Sequence, residues 1–268
     1  MPPRPPARAR SPQHSFGTRR DLGGDQVEGR QAVRALLAAR RRRVKDVWMA
    51  EEAEAAPILA EIRDLAEEAR VPVRAVPRGR LEAEARTDAP QGVLAHTVPL
   101  EETDLETLAR PARDGTKPFL LALDGITDPH NLGALLRSAE ASGATGVVLP
   151  RHRAAHVTPT VAKAAAGAIE YLPMAVVPGL PNALSTLKQH GVWTVGLDAG
   201  APDSLFGLEL VTEPIALVMG AEGRGLSRLV RQRCDLVVSI PQRGATPSLN
   251  VASAATLACF EVARRRPV

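Results

Sequence analysis

The chain has 268 residues, 44% of them hydrophobic and 3% aromatic, with a formal net charge of +4. That length admits one large domain or two modest ones, with enough apolar residues for a sizeable core. No apolar run reaches the roughly 18 residues of a membrane span, and no apolar stretch near the start resembles a secretory leader.

Residues 1–20, MPPRPPARARSPQHSFGTRR, hold five arginines and no acid, which leaves the remainder of the chain at −1. A Pro/Arg segment of this kind cannot bury a core and is expected to be disordered. It would serve either as a salt-sensitive grip on RNA phosphates or as a solubilising leader. VEGRQAVRALLAAR then places Val33, Leu36 and Leu37 at helical spacing. Arg40 to Arg43 and Lys45 follow, cations that suit a helix C-terminus and would also suit RNA. VKDVWMA reads as a strand, APILAEIRDLAEEAR as an amphipathic helix, VPVRAVP as a strand, RGRLEAEA as a short helix and QGVLAHTV as a strand. Together these describe a small α/β domain over residues 21–98. Residues 99–117, polar and Pro-containing, read as a linker.

From residue 118 to 268 the alternation is cleaner. Strands are predicted at 119–123, 146–149, 171–176, 192–197, 214–219 and 236–240, and helices at about 131–143, 158–168, 181–190, 225–233 and 248–264. Such alternation implies a mostly parallel sheet covered on both faces. Ligands of open parallel sheets bind outside the carboxyl ends of the strands, so the loops after strands are the informative ones.

Three of these loops stand out. DGITDPHNLGALLRSAEASG opens a helix whose Leu132, Leu135, Leu136 and Ala139 face the core while Arg137 lies off that stripe. Asn131 there is either a helix cap or a functional side chain, and Arg137 either a solvated residue or a ligand. IALVMGAEGRGLS runs a strand into Gly220, Glu222, Gly223 and Gly225, a turn whose backbone N–H groups can approach a ligand. It fits neither the dinucleotide fingerprint nor the P-loop. TPSLNVASAATLACFEVARRR places Ser248 and Asn250 at the mouth of a helix that is apolar nearly all round, with helix capping as the plainer reading of Ser248. His152 and His156 have i, i+4 spacing without a third ligand nearby, so no metal is expected. Cys234 and Cys259, in apolar or helical context, read as the reduced thiols of a cytoplasmic protein.

The order N-L-G-A-L-L-R-S-A, M-G-A-E-G-R-G-L and S-I-P…S-L-N-V-A-S-A resembles the SpoU (TrmH-type) RNA 2′-O-ribose methyltransferases of the SPOUT superfamily over about residues 118–264. The region before it, with VEGRQAV and QGVLA, resembles the ribosomal-protein-like substrate-binding domain of members that modify large-subunit ribosomal RNA. The resemblance implies a parallel sheet with a deep trefoil knot, S-adenosylmethionine as cofactor, RNA as partner and a homodimer. It implies a catalytic set of Asn131, Arg137, Glu222, Ser248 and Asn250, with Glu222 holding Arg137 in place. Gly220, Ile240 and Leu249 would bind the cofactor, with Gly196 and Leu197 as further candidates in the preceding loop. Many relatives read S-L-N-V-S-V-A where this chain has Ala252 and Ser253, a change of packing rather than chemistry.

A guanidinium is almost never deprotonated in a protein. Arg137 is therefore expected to clamp the neighbouring phosphate and stabilise the developing alkoxide. A guanosine of large-subunit ribosomal RNA is the favoured substrate, and transfer RNA the alternative. A non-catalytic ribosome-assembly factor would be marked by loss of Arg137, Asn131 or the S-L-N triplet, and all are present. For the homodimer, the C-terminal helix offers one face of Val251, Ala255, Ala258 and Val262 and another of Leu249, Ala252 and Cys259. One of these would cover the sheet and the other a partner.

Overall fold

The computed structural model describes residues 22–52, 56–152, 156–245 and 248–266. The basic tail expected over residues 1–20 lies outside them. The N-terminal region builds β1 (Gln26–Glu28), α1 (Arg30–Ala39), β2 (Val44–Ala50), α2 (Pro57–Glu68), β3 (Val73–Val76), α3 (Arg78–Glu84) and β4 (Val93–Thr97). These strands form one mixed sheet in the order β1-β4-β2-β3. α1 and α2 cover one face through Val33, Leu36, Leu37, Leu59 and Ile62, all buried. β1 is the strand that periodicity assigns to the start of α1. Three residues are too few to show alternation.

The stretch expected to be a linker carries α4 (Leu105–Leu108), capped by the Asp104 side chain, which accepts from the Glu106 and Thr107 N–H groups. Its Leu108 is buried in the core of the next sheet.

That next sheet contains β5 (Phe119–Asp124), β6 (Gly146–Pro150), β7 (Met174–Val177), β8 (Trp193–Leu197), β9 (Asp203–Ser204), β10 (Ile215–Gly220) and β11 (Leu236–Ser239). All neighbours are parallel, in the order β7-β6-β5-β10-β8-β11-β9. α5 (Pro129–Ala141), α6 (Pro159–Ala164), α7 (Leu180–Gln189), α8 (Arg228–Arg233) and α9 (Val251–Arg265) cover it. Leu132, Leu135, Leu136 and Ala139 of α5 are fully buried, as the spacing requires. At roughly 1.5–3 kcal/mol for each large side chain, this stripe alone fixes how α5 sits on the sheet.

Where the boundaries differ from expectation, the backbone gives the reason. The helix predicted to reach residue 168 stops at Ala164 because Ala166 and Gly167 take positive φ, and a Cβ on Gly167 would lie 2.1 Å from the Cβ of Ala35. A tight 3-10 turn at Ala168–Glu170 follows, which delays β7 to Met174. The helix predicted from residue 225 begins at Arg228, since Gly225 has φ +66°.

The two sheets are joined at this same place. Arg42 donates to Glu170 at 2.6 Å and to the Gly24 and Val98 carbonyls at 2.5 and 2.8 Å. The side chains of the pair are only 5% and 0% exposed. Arg40 pairs with Glu68 at 2.7 Å. Of the clustered arginines read as RNA contacts, Arg42 is therefore structural, while Arg40 and its partner stay more than half exposed at the surface.

Candidate active site

β5, β8, β10 and β11 end on one edge of the sheet, and the residues that follow them build the site. Asp124, at the end of β5, accepts a hydrogen bond from the Ser227 N–H at 2.7 Å. This ties the turn after β10 to the neighbouring strand. The turn itself is closed by Gly225 N–H donating to the Ala221 carbonyl at 2.8 Å, with positive φ at Gly223 and Gly225. Glu222 projects from it.

Helix capping at the two other loops differs by one short step from the sequence reading. Asp128, not Asn131, caps α5, accepting from the Asn131 N–H at 2.7 Å. Asn250, not Ser248, caps α9, its Oδ1 accepting from the Ala252 and Ser253 N–H groups at 2.9 and 3.4 Å. The Asn131 side chain is thereby released from capping. That of Asn250 performs two tasks at once.

These three side chains meet. Asn131 Nδ2 donates to Glu222 Oε2 at 3.0 Å. Asn250 Nδ2 donates to Asn131 Oδ1 at 3.1 Å and to Glu222 Oε1 at 3.4 Å. The orientation of both amides follows from valence: a carboxylate only accepts, so both nitrogens must face Glu222, and the capping role of Asn250 Oδ1 agrees. One lone pair of Asn131 Oδ1 is left for a ligand.

Two cavities flank this triad. The larger, about 740 Å³, is lined by Asp124, Asp128, Asn131, His152, Glu222 and Arg224 among others. The smaller, about 300 Å³, is lined by Leu197, Asp198, Gly220, Ile240, Ser248 and Leu249 among others. Glu222, with Ala221, Arg224, Gly225 and Val251, belongs to both walls. Glu222 thus stands where the cavities join, with Asn131 on the wall of the larger and Asn250 behind both.

The sequence-predicted residues divide accordingly. Leu197, Gly220, Ile240 and Leu249 line the smaller cavity together with Ser248. Gly196 sits behind that wall, where a Cβ would meet Leu226 at 2.7 Å and the Cys234 sulfur at 3.1 Å. The fold itself requires Gly220 to be small. A Cβ there would lie 2.1 Å from the Gly225 carbonyl carbon, so the space it spares belongs to the chain's own backbone. Arg137 is exposed on α5 and, among the described residues, forms no ion pair or side-chain hydrogen bond. It is thus not held by Glu222, whose oxygens face the two asparagines. Burial pushes the Cys234 thiol up to about 11, and Cys259 up to about 12, so both stay protonated at neutral pH.

Asp198 and Gln242 escaped the sequence reading, which takes Asp124 only as part of a turn and His152 only as half of an incomplete metal pair. The signal for Asp198 was available: it follows a strand of a parallel sheet on the carboxyl side.

Family models place this geometry. Residues 118–260 match the SpoU rRNA methylase family, and residues 26–103 match the RNA 2′-O ribose methyltransferase substrate-binding domain. The chain belongs to the SpoU family. A 23S rRNA (guanosine-2′-O-)-methyltransferase of Pseudomonas putida is 41% identical over 91% of this chain and 98% of its own. Its counterpart in Photobacterium profundum is 38% identical over 92% of this chain and 100% of its own. Among solved structures, the SpoU methyltransferase AviRb of Streptomyces viridochromogenes, in complex with the cofactor AdoMet, superposes with a TM-score of 0.75. It is 27% identical and covers 90% of this chain and 89% of its own. For a SpoU methylase the doubled cleft makes chemical sense, because a donor and an acceptor must approach one point from two sides.

Proposed function

We propose that this SpoU protein uses S-adenosylmethionine to methylate the 2′-hydroxyl of a guanosine in large-subunit ribosomal RNA. The observation that carries the reading is the Asn131–Glu222–Asn250 triad, whose Glu222 stands at the junction of the two cavities. The smaller cavity fits the cofactor: its walls are apolar at Leu197, Ile240 and Leu249, and the Gly220 backbone lies open to it. When bound, the cofactor supplies an electrophilic methyl group. The larger cavity then receives the target nucleotide. Asn131 Oδ1 and the Ser248 hydroxyl orient the ribose hydroxyl, and Glu222 keeps both asparagines from rotating. Arg137 lines neither cavity of its own chain. Its role in this reading is that of a permanent cation with a planar fork that binds the phosphate beside the target nucleotide and, once RNA is bound, stabilises the alkoxide as it forms.

The protein works as a homodimer. α9 leaves Leu257 and Phe260 exposed on the helix whose N-cap, Asn250, belongs to the site. A second copy covering that face would close the cleft from the side. The knotted threading that accompanies the family is in keeping with β10 lying between β5 and β8, with α9 packed back against β10 and α5.

The deciding experiment is a map of 2′-O-methylation across ribosomal and transfer RNA in a strain lacking the gene. Loss of one guanosine methylation in large-subunit RNA is expected, restored by the wild-type gene and not by Arg137→Ala. Loss confined to transfer RNA would move the substrate, and an unchanged map would defeat the reading.

A further inference from the structure

One carboxylate of the smaller cavity has no part in the triad. Asp198 follows β8, its N–H donating to the Val238 carbonyl at 3.0 Å. Its Oδ1 accepts from the Gly200 N–H at 2.9 Å, and its Oδ2 is paired with Arg231 of α8. The side chain is 23% exposed, and it lines the smaller cavity but not the larger.

We propose that Asp198 is the residue that accepts hydrogen bonds from the ribose cis-diol of the cofactor, an inference that rests on the cofactor reading above. Three observations lead there. A group lining only the smaller cavity faces the cofactor rather than the target nucleotide. Each oxygen holds one protein donor and keeps a further lone pair, the arrangement that two neighbouring hydroxyls match. Arg231 already compensates the charge, so neutral hydroxyls suit the site better than a second cation.

The test is calorimetry of the full-length protein with S-adenosylhomocysteine and with its 2′-deoxy and 3′-deoxy analogues, for wild type, Asp198→Asn and Asp198→Ala. Circular dichroism melts verify that each variant is folded. Wild type should bind the deoxy analogues roughly ten- to a hundred-fold more weakly than the parent, the range for hydrogen bonds to a charged group. Asp198→Ala should bind all three compounds with one weakened affinity, and Asp198→Asn, which keeps the acceptor for Gly200, should lie between. A variant that binds the parent as tightly as wild type overturns the proposal. So does one that is weakened yet still discriminates against the deoxy forms, because Asp198 would then serve another donor. If folded wild type binds none of the compounds, with or without ribosomal RNA, the cofactor reading itself fails.

Discussion

Asn131 and Glu222, 91 residues apart in the chain, are joined by a 3.0 Å hydrogen bond between the side-chain amide of one and the carboxylate of the other. The bond links the start of α5 to the turn after β10, and Asn250 completes it from the start of α9. Removing the carboxylate frees both amides to rotate. Glu222→Ala is therefore expected to lower kcat for methyl transfer by about 10²-fold, the scale of losing one preorganised polar group. Thermal stability should stay nearly unchanged, since Glu222 is on an exposed turn. Arg137→Ala should cost at least as much activity, and Arg137→Lys should recover little, because a point charge does not replace a planar fork. Single-turnover assays beside thermal melts would decide. Activity retained in Arg137→Ala would return that residue to an ordinary surface role.

Much of this site was legible in the order of motifs, and its wiring was not. The stripe Leu132, Leu135, Leu136, Ala139 and the strand Val44–Ala50 follow from periodicity alone, because burial on one face dictates spacing. The partner of Glu222 does not, because it depends on which side chain caps each helix. Asp128 and Asn250 take that role, while Asn131 and Ser248 stand free of it, and such a one-step exchange leaves no trace in composition. One member of the basic cluster escaped the sequence for a related reason. Arg42 is written among four arginines, yet only the folded chain brings Glu170 to it.

That ion pair carries its own expectation. Arg42 and Glu170 are almost fully excluded from water, and Arg42 also satisfies two carbonyls. Arg42→Ala leaves a buried carboxylate without its partner, a loss of about 3–5 kcal/mol. Urea unfolding should show the midpoint falling accordingly. An unchanged midpoint would mean that water reaches Glu170 and that the junction between the sheets is looser than its geometry.

Gly220 provides a contrast between fold and ligand. With the Gly225 backbone 2.1 Å from the position of a Cβ, even Gly220→Ala must push apart two segments of main chain. A drop in melting temperature without any ligand present is expected, of several degrees for the roughly 1–3 kcal/mol of an overpacked position. A variant with wild-type stability that merely fails to bind S-adenosylhomocysteine would restore the simpler view of Gly220 as space kept for the cofactor.

The dimer is best tested on the face that α9 leaves uncovered. Val251, Ala255, Ala258 and Val262 are all buried within the chain, so that face covers the sheet, whereas the second face is split, with Cys259 buried, Ala252 half-buried and Leu249 39% exposed. The larger exposed apolar side is made by Leu257, 44% exposed, and Phe260, 47% exposed, at i, i+3 spacing on one side of the helix. Ala258→Glu would bury an unpaired carboxylate in the core and unfold the protein, which says nothing about association. Leu257→Glu with Phe260→Glu places the charges in water in the separated chain and in an apolar contact only if a partner is seated there. Light scattering should therefore report a dimer for wild type and a folded monomer for the double variant, with methyl transfer strongly reduced in the monomer. A double variant that stays dimeric would locate the interface elsewhere, and an active wild-type monomer at assay concentration would remove the need for one.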